Sequence, residues 1–167
     1  MKQLWAPWRM AYIQPDSKPQ EKGCVFCIGD RVEENRDRLI LLRGTRVFVL
    51  MNKFPYTNGH LMVAPYRHTA DIGELSDSEA LEMHRLTVLC REVLKECLNP
   101  HGFNIGMNLG QVAGAGIADH LHLHIVPRWS GDTNFMPVFA DVRVIPEHLE
   151  TTYDRLAAAF EKRIPAD

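Results

Sequence analysis

The segment His120-Leu121-His122-Leu123-His124-Ile125-Val126 constrains the fold more than any other stretch of the chain. Side chains on an extended strand alternate between its two faces, so His120, His122 and His124 point one way and Leu121, Leu123 and Ile125 the other. A strand over about His120 to Val126 is expected, with one face in a core and the other made of imidazole. Three of the eight histidines of the chain fall within these five positions. A loop of small residues, Gly110 to Gly116, precedes them and lets backbone N–H groups approach an anion closely. Neighbouring histidines on such a face are ~6.6 Å apart at Cα and the outer two about twice that, so all three do not converge on a single metal ion, although a His-x-His pair can.

The remaining pattern supplies a sheet for this strand and a helix to cover it. Apolar runs at Leu39 to Arg43, Val47 to Met51 and His60 to Ala64, punctuated by Gly44 and by Asn58-Gly59, predict three strands in an antiparallel meander. Ser76 and Glu79 stand at capping-box spacing ahead of a helix expected over Asp77 to Leu98, whose buried face reads Ala80, Met83, Thr87, Cys90, Leu94 and Cys97. Asn99-Pro100 ends it. A fourth strand is expected at Phe103 to Asn108 and a last helix at Glu147 to Lys162. The fold class is α+β, a mostly antiparallel five-stranded sheet with one long helix packed on it and a C-terminal helix, in a single domain over 1–167. An irregular N-terminal extension runs to about residue 38 and carries Trp5, Trp8 and Tyr12. A C-terminal tail begins at about residue 129.

Charge narrows the partners. Nineteen basic and twenty-one acidic side chains leave a formal net charge of -2. Global attraction to nucleic acid or to an anionic membrane is therefore not expected, and any phosphate must be held locally. No apolar run reaches the ~20 residues of a membrane span, and no signal-peptide core is expected at the N-terminus. A cytoplasmic location follows as the expectation, with reduced cysteines. Cys90 and Cys97 belong to the buried helix face. Cys24-Val25-Phe26-Cys27 can pinch a zinc ion but supplies half a site, so the remaining ligands would be histidines distant in sequence; two inert or redox-active thiols are the alternative.

These residues resemble the histidine triad nucleotide hydrolases and transferases. The run from His120 to Val126 matches the family's alternating signature at every position. Asn52 to His60 is similar to its strand-turn-strand, and Asn108 to Gly116 to its phosphate loop. Trp5-Ala6-Pro7-Trp8-Arg9 and Pro127 to Phe135 look most like the bacterial branch associated with diadenosine tetraphosphate phosphorylase. The resemblance implies a catalytic set of His122, His124 and His120. His122 would attack the α-phosphorus of an adenine nucleotide or dinucleotide to give a nucleotidyl-histidine, while His120 and His124 contact phosphate oxygens and the leaving group. It further implies that Asn52 binds the ribose hydroxyls, that Asn108 is a phosphate-side amide, and that the N–H groups of Gly114, Ala115 and Gly116 hold developing charge. By the same resemblance, Cys24, Cys27, His68 and His120 form a structural zinc site, no cofactor is required for the chemistry, and the chain is a homodimer. Relatives carry Gln followed by Ser or Thr where this chain has Ala115 and Gly116, which leaves the leaving-group proton to His124 or to an ordered water.

Two other readings use the same residues. One is a metal-dependent hydrolase in which His120 and His122 bind a catalytic ion, with Asp119 as the adjacent carboxylate. The other is a non-catalytic nucleotide-binding module.

Overall fold

Two uninterrupted apolar runs, Val47–Met51 and Leu61–Pro65, are buried along their whole length, which marks strands covered on both faces. The computed structural model describes residues 23–29, 32–132 and 147–163. In chain order the regular elements are β1 (Ile40–Arg43), β2 (Val47–Met51), β3 (Leu61–Pro65), α1 (Asp77–Leu98), β4 (Gly102–Met107), β5 (Leu123–Arg128) and α2 (Leu149–Glu161). The strands form a five-stranded sheet in the order β1-β2-β3-β5-β4, and every neighbouring pair is antiparallel. This is the α+β architecture expected from the sequence. Among the described residues, no helix is long and apolar enough to cross a membrane. The aromatic head around Trp5, Trp8 and Tyr12, the stretch from Thr133 to Pro146, and the last four residues lie outside the described residues.

Period-two alternation sorts the sheet's side chains into two cores. Val47, Val49, Met51, Leu61, Val63 and Ile125 face both helices, meeting Met83, Cys90 and Leu94 of α1 and Leu156 and Phe160 of α2. Phe48, Leu50, Met62 and Ala64 face the other way, together with Ile40, and are covered by Phe26 and Ile28 from the N-terminal segment. The second core lies on the histidine side of the sheet.

Helix α1 begins and ends where its sequence signals stand. Ser76 and Glu79 form a complete capping box, and Asn99 closes the helix in the left-handed conformation at φ 46. One expectation on its buried face fails: Ala80 is exposed and Glu79 is buried in its place. Glu79 can be buried because the Arg67 guanidinium grips both carboxylate oxygens at 3.2 and 3.1 Å and Ser76 adds its own donors. Those hydrogen bonds, Arg67 first, hold its carboxyl down to about 2. The clamp fixes the connection that presents His68, the next residue after Arg67.

Gly59 is required by space as well as by conformation. Its φ is +74, and a Cβ there would sit 2.4 Å from a methyl of Leu98. This close approach to α1 sets the position from which His60 enters the site. The expected fifth strand starts late. Paired residues of β5 begin at Leu123, so His120, Leu121 and His122 precede the ladder.

Candidate active site

Although His120 and His122 lie outside the ladder, their rings share a face, since Phe26 touches both, while the Leu121 N–H between them donates to Thr69 O at 2.6 Å. All three histidines are buried, His124 the least at 9% exposure. The imidazole face is therefore a roofed surface. Phe26 stacks on His122 with ring centroids 4.7 Å apart and 29° between planes, and it also touches His120 at 5.3 Å.

Each histidine has a different environment at its second nitrogen, and that decides its tautomer. His122 Nδ1–H donates to the backbone carbonyl of His120 at 2.8 Å. A carbonyl only accepts, so Nδ1 carries the proton and Nε2 keeps its lone pair. His120 is the opposite tautomer: Nε2–H donates to Pro65 O at 2.9 Å and Nδ1 is left as a base. His124 takes its state from His60, to which neither its apolar run nor the strand-turn-strand resemblance of Asn52 to His60 assigns a role in the site. The fully buried His60 accepts the Tyr56 N–H on Nδ1 at 3.2 Å, so its proton is on Nε2, which donates to His124 Nδ1 at 2.9 Å. The proton of neutral His124 is then on Nε2, which has no hydrogen-bond partner among the described residues. A buried donor left in this way is expensive, and a phosphoryl oxygen would satisfy it. A usable signal for His60 existed: it has the same parity as Met62 and Ala64, which puts it on the histidine face of β3.

The three triad imidazoles are neutral near pH 7. Burial lowers the pKa of His120 and of His122, and burial followed by repulsion from His122 lowers His124 to about 4.

At the other end of the row the predicted cysteine and histidine residues come together. Cys24 Sγ lies 3.3 Å and Cys27 Sγ 3.9 Å from His120 Nδ1; His68 Nδ1 lies 3.4 Å from Cys27 Sγ and 3.2 Å from His120 Nδ1. All four donor atoms fall within 4.8 Å of one another. Donors on a tetrahedral zinc are separated by roughly 3.3–3.8 Å, so this donor set and geometry fit such an ion. Burial raises the Cys24 thiol above its ordinary value.

This arrangement corrects the expectation that His120 touches phosphate, since Nε2 is engaged by Pro65 and Nδ1 faces the sulfurs. It also leaves His120 no nitrogen with which to share an ion with His122. The loop before the triad is corrected in part. The Gly114 N–H donates to Gln111 O at 2.9 Å and the Ala115 N–H to Gly110 O at 3.4 Å, so both amides are spent inside the turn, while Gly116 is not drawn into it. Asn52 is half-buried, accepts the Phe54 N–H at 2.9 Å on Oδ1, and places Nδ2 3.4 Å from His60 Nδ1. Asn108, also half-buried, follows the last residue of β4.

A family model described as HIT domain matches residues 33–131. AP-4-A phosphorylase of Mycobacterium tuberculosis is 37% identical over 170 residues, covering 98% of this chain and 86% of that protein. The adenosine 5'-monophosphoramidase of Schizosaccharomyces pombe is 24% identical over 140 residues, 83% of this chain and 99% of its own. Among solved structures, a Zn-bound histidine triad family protein from Mycobacterium smegmatis has the same fold, with a TM-score of 0.64 at 23% identity over 84% of this chain and 95% of that one.

Proposed function

The chain belongs to the HIT domain family, and on that premise we propose that it cleaves dinucleoside polyphosphates of the diadenosine tetraphosphate type at the α-phosphate through a nucleotidyl-histidine on His122. The observation that carries this reading is the 2.8 Å hydrogen bond from His122 Nδ1–H to His120 O, which leaves Nε2 as the nucleophilic lone pair. Nε2 attacks the α-phosphorus. The bond to the bridging oxygen breaks, and ATP leaves with that electron pair. His124 Nε2–H donates a hydrogen bond to the departing oxygen.

A donor of this kind suits a phosphate leaving group, which departs as a stable anion, better than the amine of a phosphoramidate, which needs a full proton. Phosphoramidate cleavage is accordingly the second reading, supported by the monophosphoramidase relative. The 37% identical relative favours inorganic phosphate as the second acceptor, which gives ADP where water gives AMP. Asn52 is positioned to hold the ribose, and the Gly116 amide and Asn108 the phosphate oxygens. Cys24, Cys27, His68 and His120 are the ligands of a structural zinc, which when bound supplies a cross-link and no step of the reaction. The outer edge of β4, where Ile105 is 46% exposed, supports pairing with a second copy in a homodimer.

The test is product analysis with diadenosine tetraphosphate, with and without inorganic phosphate. ADP plus ATP formed only with phosphate marks a phosphorylase, and AMP plus ATP marks a hydrolase. Absence of product under both conditions defeats the catalytic reading and leaves a nucleotide-binding module.

A further inference from the structure

The nucleophile sits on a segment that the sheet does not hold, since the β5 ladder starts at Leu123. Besides the His120 bond to Pro65 O and the edge contact of His122 with His124, three contacts hold it that come from metal-cluster residues or their chain neighbours. Phe26, between Cys24 and Cys27, is 2% exposed and stacks on the His122 ring at 4.7 Å. The His120 carbonyl accepts the His122 Nδ1 proton. The carbonyl of Thr69, next to His68, accepts the Leu121 N–H at 2.6 Å. Ring plane, tautomer and backbone of the nucleophile are thus each tied to a different part of one four-ligand cluster.

We propose that Phe26 is a positioning residue for His122, and that gathering Cys24, Cys27, His68 and His120 on one zinc ion is what brings the nucleophile into line. The proposal rests on the structural-zinc reading above and adds to it a specific consequence for turnover. With the ligands ungathered, the Cys24-to-Cys27 loop loses the tether that keeps Phe26 on the ring, and His120 loses its hold at Nδ1 and turns about the one bond left to its ring, Nε2–H to Pro65 O, which loosens the carbonyl that fixes the His122 tautomer. The His122 proton then distributes between the two nitrogens, and part of the population presents N–H where the lone pair is needed. Substrate contacts made by Asn52 are tied to His60 and the loop after β2, not to the cluster. The effect therefore falls on kcat, by ~10- to 100-fold, with KM changed by less than about threefold.

The experiment compares the full chain loaded with zinc and stripped by chelation. It reads bound zinc per chain, kcat and KM with diadenosine tetraphosphate, and the His122 tautomer by imidazole nitrogen NMR. Phe26→Leu, which keeps all four ligands, is measured beside it, so that the proposal stays testable if stripping unfolds the chain. Support is one zinc per chain, a kcat-selective loss on stripping, a mixed His122 tautomer in the stripped protein, and a kcat loss in Phe26→Leu at unchanged zinc content. A chain that binds no zinc overturns the metal reading and this proposal with it. One that binds zinc yet keeps its kcat in both the stripped protein and Phe26→Leu overturns this proposal alone. Activity surviving His122→Ala is a failure of the nucleophile assignment and is seen separately.

Discussion

At one end of the histidine row, His120 turns Nδ1 toward two sulfurs and a second imidazole; at the other, His124 turns Nδ1 toward His60 and keeps Nε2 unpartnered inside the site. The side chains are identical and four residues apart on one face, yet one end joins a cluster of sulfur and nitrogen donors that could hold a metal ion and the other presents a hydrogen-bond donor. What separates them is the group facing the second ring nitrogen: a carbonyl for His120 and for His122, and another imidazole for His124. The motif therefore sets the face on which the histidines lie, and the neighbours set the role of each. His122, between the two ends, takes its tautomer from the His120 carbonyl, and in the proposed reaction His124 would serve the leaving group beside it.

Removing the shared residue breaks the comparison most severely. His122→Ala is expected to lower turnover of diadenosine tetraphosphate by at least ~10³-fold, because the two ends are left with nothing to act on. Steady-state rates and a search for the trapped nucleotidyl-enzyme check this, and retained turnover would sink the assignment.

The next test separates the ends by pH. Unfolded His124 takes up a proton near its ordinary value of 6.5, while burial holds the folded side chain to about 4. Between those values the unfolded state binds more protons, so this contribution is complete above pH 6.5 and is lost as pH falls toward 4. The loss amounts to ~3 kcal/mol at most. Urea unfolding of the wild type and of His124→Gln at pH 7.5 and pH 5 measures it. Wild type should lose more stability than the variant, and equal losses would show that His124 is not held neutral.

The donor end can also be weakened without touching the row. His60→Phe removes the proton that His124 Nδ1 accepts, so His124 no longer keeps its own proton reliably on Nε2. A fall in kcat of ~10- to 100-fold is expected, the size usual for loss of a partner that orients an active group. The fall should be steeper for adenylates with poor leaving groups than for those with good ones. A uniform fall across the series would place His60 in folding rather than in leaving-group departure.

Local signals were legible in the sequence, and long-range pairings were not. The capping box gave α1 its observed start and Asn99 its observed end, because both are settled within one turn of chain. The period-two triad gave its face correctly even upstream of the ladder. Cys24, Cys27, His68 and His120 were assembled through resemblance and converge in space. The partnership of His60 with His124 spans 64 residues; parity with Met62 and Ala64 gives the face of His60 but does not name its partner. Phe26 roofs His122, a role the sequence does not announce, since burial on the second face of the sheet leaves no periodic trace in a short loop. The resemblance implied free amides at Gly114, Ala115 and Gly116, but it does not reveal that the turn around the 3₁₀ segment engages the first two. Ala80 was misplaced because apolar spacing outweighed a buried Glu79 whose charge is answered by Arg67.

The smallest expected effect compares the aromatic roofs. Phe26 covers the metal end and is buried, whereas Tyr56 packs on His60 at 4.7 Å and approaches His124 at 6.0 Å while remaining 38% exposed. The group of Tyr56 that sets the His60 tautomer is its backbone N–H, which any residue but proline keeps. Tyr56→Leu therefore removes ring packing and leaves the proton arrangement intact. An aromatic contact of this kind is worth ~0.5–1.5 kcal/mol, so a loss of about two- to tenfold in kcat/KM is expected, with the leaving-group dependence unchanged. Phe26→Leu, acting on His122, the proposed nucleophile, should lower kcat more. If Tyr56→Leu matched or exceeded it, or steepened the leaving-group dependence as His60→Phe should, the phenol would be a participant at the donor end rather than a cover for it.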